Sequence, residues 1–351
     1  MPLDPVLRSL LTTPGPSGYE EAPAAVWRAA AERFGEVRVD RLGSSTARVK
    51  GTEDGLSVAV LGHIDEIGLL VTYIAEDGAL YFRRIGSWDP SVLVSQRVEI
   101  LTRSGPVTGV IGKKPIQLSR EETPRELQLK DLYVDIGARD RAEAEGVVEV
   151  GDVIVIAGEP IELRNDRIAS RSMDNRLGCF VALEVLRLVA EAGGARGETI
   201  AVAAVQEEIT KAGATVAAYD LEPDVVVVVD VIWETSPLDI DKRVIGDHAF
   251  GSGPTISRDS ILHPGLHRLL RAAAEAEGIP FTILSHGTPT LTDSDAVHHV
   301  RRGIPTACVS IPVRYIHTSV ETVQLDDVAN AARLIAAFCL RLRADEELGR
   351  G

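Results

Sequence analysis

Apolar and polar positions along this 351-residue chain fall into two textures. In the first, short unbroken apolar runs stand between longer alanine- and leucine-rich stretches. LSVAVLGH (56–63), TIAVAAV (199–205), VVVVVD (225–230) and TACVSIPV (306–313) read as strands buried on both faces. The stretches 20–34, 174–194, 263–278 and roughly 325–344 read as helices, with Gly193, Gly194 and Gly278 as stop signals. Helices alternating with continuous apolar strands predict an α/β fold, a mainly parallel sheet flanked by helices.

The second texture runs from about Thr72 to Pro160. Here ALYFRRIG, QRVEILT, GPVTGVIG and DVIVIAGEP alternate between apolar and polar positions and are broken by turns, and only RDRAEAEG suggests a brief helix. This pattern predicts a small β-barrel or sandwich inserted into the α/β unit. The expected organisation is a catalytic domain from 1–71 and 161–351, with the β-rich insert at 72–160.

Composition narrows the functions. With 45% hydrophobic residues the chain can build a sizeable core. A net charge of -15 argues against nucleic acid or an anionic membrane as partner, and is equally what a well-solvated surface gives. Cys179, Cys308 and Cys339 are scattered and odd in number, so neither a zinc ribbon nor a disulfide framework is expected. No secretory signal is legible at the N-terminus, and the longest apolar run, VVVVV, is far too short to span a bilayer. A soluble, cytoplasmic protein is the expectation.

Candidate chemistry gathers at one place in this pattern. His63, Asp65, Asp174, Glu207, Glu208, Asp230 and His317 lie at or just beyond predicted strand ends, or at a helix start. In open α/β sheets the carboxyl edge is where ligand sites form. Each acid alone reads more often as a helix cap or turn former; the set carries the inference. Glu207 and Glu208 end an apolar strand side by side, which leaves two carboxylates needing water or a compensating charge. Two zinc-like cations suit such a set. They take nitrogen and oxygen donors at about 2 Å, and at a separation of roughly 3.5–4 Å they need a shared carboxylate. Two residues apart on a strand, His63 and Asp65 share a face, so Asp65 can orient the imidazole.

These residues sit in motifs that resemble the M42 metallo-aminopeptidases, a family related to glutamyl and TET aminopeptidases and to proteins once labelled endoglucanase. The motifs are GPSGYE (15–20), GHIDEIGLLV (62–71), KDLYVDIGA (130–138), SMDNRLG (172–178), VQEEITKAGA (205–214), VVVDV (227–231), TDSDAVHHVRRGIPT (292–306) and SIPVRYIHTSVE (310–321), in family order across nearly the whole chain. The resemblance implies that Asp174 bridges two divalent ions, zinc or cobalt foremost and manganese also accepted. His63 and Asp230 would complete one site; Glu208 and His317 would complete the other. Glu207 would be the general base, taking a proton from the bridging water and returning it to the leaving amine, with Asp65 orienting His63. The implied substrates are short peptides cleaved after their first residue. The resemblance also implies homo-oligomers, from dimers up to dodecamers, assembled through the insert.

Around this centre the expectations are less constrained. Arg314, Tyr315, Asp293 and Ser294 are candidates for the first-residue pocket, with a structural salt bridge an equal reading of Arg314. Trp233 reads as pocket or core, with core preferred. Ile209 and Thr210 stand where the family commonly has valine and glycine, which bears on substrate preference. Alternative readings are a metal-dependent amidohydrolase acting on N-acyl amino acids, and a catalytically silent assembly protein. A glycosidase fits poorly, since aromatic residues make up only 4% of the chain and offer few platforms for sugars.

Overall fold

The strand Val225–Trp233 explains the architecture. Val225, Val227 and Val229 join one apolar cluster and Val226 and Val228 another, so the run is buried on both faces. Side chains alternate across a strand, and a continuous apolar run therefore requires cover above and below. The computed structural model describes residues 3–118, 125–236, 239–346 and 348. Within it, helices Met173–Glu191, Leu325–Arg341 and Pro264–Glu277 contribute to the larger cluster, and Ala212–Leu221 and Ser294–Val297 to the other.

Four parallel strands form the sheet centre, in the order Thr199–Ala204, Val58–His63, Val225–Trp233 and Thr306–Arg314. Antiparallel strands extend both margins. Ser45–Val49 and Glu36–Val39 lie on one side; Glu321–Gln324, Arg167–Ser170 and Ile161–Leu163 lie on the other. The fold is thus α/β with a parallel centre, as the apolar runs predict. The antiparallel margins escape the sequence pattern because their strands are short and partly exposed.

The second texture is a closed six-stranded barrel: Gly68–Ile74, Leu80–Ile85, Leu132–Asp135, Gly105–Lys113, Arg97–Thr102 and Val153–Ile156. Closure leaves no free edge. Leu69, Val71, Leu80, Val98, Ile100, Ile111, Val134 and Ile154 fill its own core, and the brief helix is Arg141–Glu145. Four residues, Ile64 to Ile67, connect the central strand Val58–His63 to the first barrel strand. Whatever lies on that connection sits between the two units. Among the described residues no helix is long and apolar enough to cross a membrane.

Helix Met173–Glu191 reaches the sheet unusually closely, because Gly62 and Gly178 face each other. A Cβ on Gly62 would lie 2.3 Å from the Gly178 carbonyl carbon and 2.5 Å from the Cys179 nitrogen. Both are backbone atoms and cannot swing away. Gly62→Ala is therefore expected to destabilise the fold by about 3 kcal/mol, near the upper end of overpacking costs. Gly158→Ala, where nothing lies within 4 Å, is the matched control and should unfold at the wild-type midpoint in thermal and denaturant melts.

Candidate functional site

The parallel strands deliver their C-terminal ends to a common edge. His63 ends its strand and pairs in register with Ala204, three residues before Glu207; Asp230 pairs with Ser310 on the strand leading to His317. Asp174 enters from the start of helix Met173–Glu191, where it and Asn175 leave helical φ/ψ and are joined by a cis peptide bond. The seven residues singled out in the sequence thus converge.

Their donor atoms interlock around Asp174. Its Oδ1 lies 3.1 Å from His63 Nε2, and its Oδ2 lies 3.4 Å from His317 Nε2. His317 Nε2 is also 3.4 Å from Glu208 Oε1. Among the described residues three groups have donors within 4.8 Å of one another: His63–Asp174–Asp230, Asp174–Glu208–His317 and His63–Glu207–Glu208. Donors about 2.0–2.1 Å from a tetrahedral ion stand about 3.3 Å apart, and the measured separations match that spacing. The donor set, imidazole and carboxylate, suits a divalent first-row cation.

Glu207 and Glu208 start the short helix Glu207–Thr210, and their side chains go to different partners. Glu207 Oε1 is 3.1 Å from Lys211 Nζ, and its Oε2 is 3.8 Å from His63 Nε2. Beneath them Asp65 is fully buried. It accepts from Glu207 N at 3.0 Å, Glu208 N at 3.1 Å and Ser17 Oγ at 2.6 Å, and its Oδ1 lies 3.3 Å from His63 Nδ1. The strand ends at His63, so this approach comes from the connection beyond it rather than from strand alternation.

The surrounding loops are held in unfavourable backbone. Ser172, Gln206, Lys211, Tyr315 and His317 all have φ between +56° and +62°, where a side chain costs of order 1 kcal/mol. Such residues persist where tertiary contacts over-determine them. Glu321 is one source: its buried carboxylate accepts from His317 N at 2.7 Å and Asp174 N at 3.1 Å. Behind the site Glu66 is gripped by Arg171, by Arg176 at 3.3 Å, by Ser172 Oγ at 2.6 Å and by Gly15 N at 3.0 Å. Sequence reasoning missed Glu321, Glu66 and Lys211 as contributors. Each lay inside a quoted motif. Glu66 and Glu321 reach Arg171 and Asp174, over a hundred residues away, which nothing local signals, whereas Lys211 stands four residues after Glu207, a helical pairing that the sequence does offer.

The expected pocket residues divide. Tyr315 is 55% exposed beside His317. Arg314 is committed to buried Glu234, Nε to Oε2 at 2.5 Å, and stacks over Phe250 at 4.6 Å. Asp293 and Ser294 are buried, and neither Asp293 oxygen has a hydrogen-bond partner. Trp233 corrects the sequence reading: it is 44% exposed at the end of its strand, although Ile232 before it and Glu234 after it are buried.

Electrostatics express the crowding. Desolvation lifts Glu208 to about 7 against the pull of His317, and burial followed by repulsion from Asp174 raises Asp230 well above its usual range. Burial opposes charge on His317, but Asp174 and Glu208 outweigh it and push its pKa to about 11. His63 is raised likewise, its own desolvation overcome by Asp174 and Asp65.

The family model of the M42 glutamyl aminopeptidases matches residues 43–334. Lysyl aminopeptidase of Pyrococcus furiosus is 31% identical over 346 residues, covering 96% of this chain and 97% of its own. An aminopeptidase from the archaeon Desulfurococcus kamchatkensis superimposes with a TM-score of 0.90 at 31% identity, covering 97% and 95% of the two chains. The TET1 peptidase of Pyrococcus horikoshii, described as assembling into a tetrahedron or a large octahedral shell, gives 0.83 at 30% identity over 96% and 99%.

Metal uptake at this site should release protons. Without a cation, His63 and His317 are raised above the usual imidazole range and hold protons near neutrality, and Glu208, at about 7, is partly protonated there. A cation must displace them, so affinity should strengthen as pH rises from about 6 to about 8. Calorimetric titration in two buffers of different ionisation enthalpy should show net proton release; heats that do not change with buffer would contradict this picture.

Proposed function

Because the chain belongs to the M42 glutamyl aminopeptidase family, a family of metal-dependent aminopeptidases, we propose that its site is a dinuclear centre releasing N-terminal residues from short peptides. The observation that carries the reading is the division of Asp174, one oxygen toward His63 and the other toward His317. His63, Asp174 and Asp230 would hold one divalent ion, and Asp174, Glu208 and His317 the other. Zinc or cobalt suits this set best, and manganese is also accommodated. When bound, the ions supply Lewis-acid activation of water and of the scissile carbonyl.

The protein's own groups supply the rest. Glu207 also stands within ligand reach of His63 and Glu208, and its ion pair with Lys211 favours the role of base over that of ligand. Desolvation raises its pKa, against His63 and Lys211, which suits a carboxylate that must take and return a proton. Lys211 holds Oε1, leaving Oε2 on the His63 side as the oxygen that takes the proton from attacking water and delivers it to the leaving amine. Asp65 fixes the backbone of both glutamates and faces His63 Nδ1, so one buried carboxylate orients base and ligand together. Tyr315 is the residue we assign to the first-residue pocket; Arg314 and Asp293 would shape its wall from behind.

The barrel, closed and with its own core, is the domain we propose for self-association into a homo-oligomer. The Pyrococcus horikoshii neighbour, described as assembling into a tetrahedron or a large octahedral shell, supports the homo-oligomer.

Glu207→Gln should retain both metal ions while turnover falls by about a hundred- to ten-thousand-fold, the usual contribution of a positioned general base. Metal analysis beside steady-state rates checks it, and wild-type turnover with metal bound would remove Glu207 from the role. Across aminoacyl-nitroanilides and N-acyl amino acids, cleavage is expected on the free-amine set; activity confined to the acylated set would make this an amidohydrolase instead. Light scattering should return a multiple of the monomer mass.

A further inference from the structure

Glu321 lies on the short strand Glu321–Gln324, between the two segments that carry Asp174 and His317. On one side the strand pairs antiparallel with Arg167–Ser170, with Ser170 opposite Glu321. Four residues beyond Ser170 the chain reaches Asp174. On the other side it pairs with the end of Thr306–Arg314, with Arg314 opposite Thr322, and three residues later the chain reaches His317. Both segments leave the sheet there and pass through left-handed backbone, at Ser172 on one side and at Tyr315 and His317 on the other. Sheet pairing therefore stops just short of both residues.

The Glu321 side chain spans the gap. One oxygen accepts from His317 N at 2.7 Å and the other from Asp174 N at 3.1 Å, and the residue is 2% exposed. A carboxylate is an acceptor at both oxygens, so it satisfies two backbone donors at once with a fixed distance between them. His317 needs such support, since its side chain is 31% exposed while that of His63 is 2% exposed and backed by Asp65.

We propose that Glu321 is a positioning residue of the metal centre: by clamping the backbone N–H groups of Asp174 and His317, it sets the separation of their donor atoms and so the affinity for the ion held by Asp174, Glu208 and His317. The clamp rests on the ligand assignment proposed above. Glutamine at this position has the same shape but one acceptor oxygen, so one of the two N–H groups would face an NH₂ group.

The test is titration of metal-free protein with cobalt(II), following the visible d–d absorption and calorimetric stoichiometry, in wild type and Glu321→Gln. Wild type should take up two ions. The variant, with an unchanged far-ultraviolet circular dichroism spectrum, should bind one ion normally and the other about 10–100-fold more weakly, the range for groups that orient ligands, with an altered cobalt spectrum. If Glu321→Gln fails to fold, Glu321→Asp replaces it: the charge remains, but the shorter arm reaches only one N–H, and the same selective weakening is expected. A folded variant that binds both ions within twofold of wild type, with the same spectrum, overturns the clamp and leaves the centre standing. Wild type that takes up no cobalt, zinc or manganese overturns the metal centre, and the clamp with it.

Discussion

The structure depends on one electrostatic constraint: too many carboxylates share one sheet edge. Asp65, Asp174, Glu207, Glu208, Asp230, Asp293 and Glu321 lie buried or nearly so about it, with Lys211 and two imidazoles as the positive groups in contact with them. Unpaired buried charges are expensive, and such groups either neutralise by holding protons or acquire a cation. The raised pKa values of Glu208, Asp230 and Asp293 are the first response. Divalent cations are the second. A fold that concentrates acid in this way without a cation would lose stability for no return, so the charge imbalance itself argues for a metal centre.

Two of these carboxylates solve a mechanical problem rather than an electrostatic one. Asp65 accepts the N–H groups of Glu207 and Glu208; Glu321 accepts those of Asp174 and His317. In each case one rigid acceptor fixes two neighbouring functional residues through their main chain, leaving their side chains free for chemistry. Of these four anchored residues only His317 has positive φ, and the hydrogen bond that its N–H donates to Glu321 works against that local strain.

What could be read in the sequence follows from the range of the interactions. The valines 225–229 state their own burial on two faces, since strand alternation is local, and the acids and histidines announce themselves by standing at the ends of such runs. The barrel was visible in its alternation, although its first strand begins at Gly68, where GLLV keeps the apolar texture of the sheet. Partnerships across long stretches of chain were not legible. Arg314 reads equally as a pocket cation or a structural ion pair, and only the fold names its partner, buried Glu234 at 2.5 Å. Trp233 looks like core until it is found 44% exposed at the strand end. Glu321 looks like the end of a motif until its two N–H donors, four and 147 residues distant, are found.

The place of the barrel follows from the same constraint. Its first strand begins five residues after His63, so the connection carrying Asp65 and Glu66 must serve the site and the junction at once. Asp65 faces the sheet edge and the two glutamates, while Glu66 faces backward into Arg171, Arg176, Ser172 and the Gly15 backbone. Pro16 lies against Gly68, where a Cβ would approach within 2.7 Å. Two adjacent acids on one tight turn thus bind opposite walls, one the sheet edge that carries the candidate site and the other the N-terminal segment and the loop before Asp174. The barrel and the site therefore share one buried turn, whose Asp65 accepts from Glu207 N and Glu208 N while Glu66 ties it to Arg171 and Arg176.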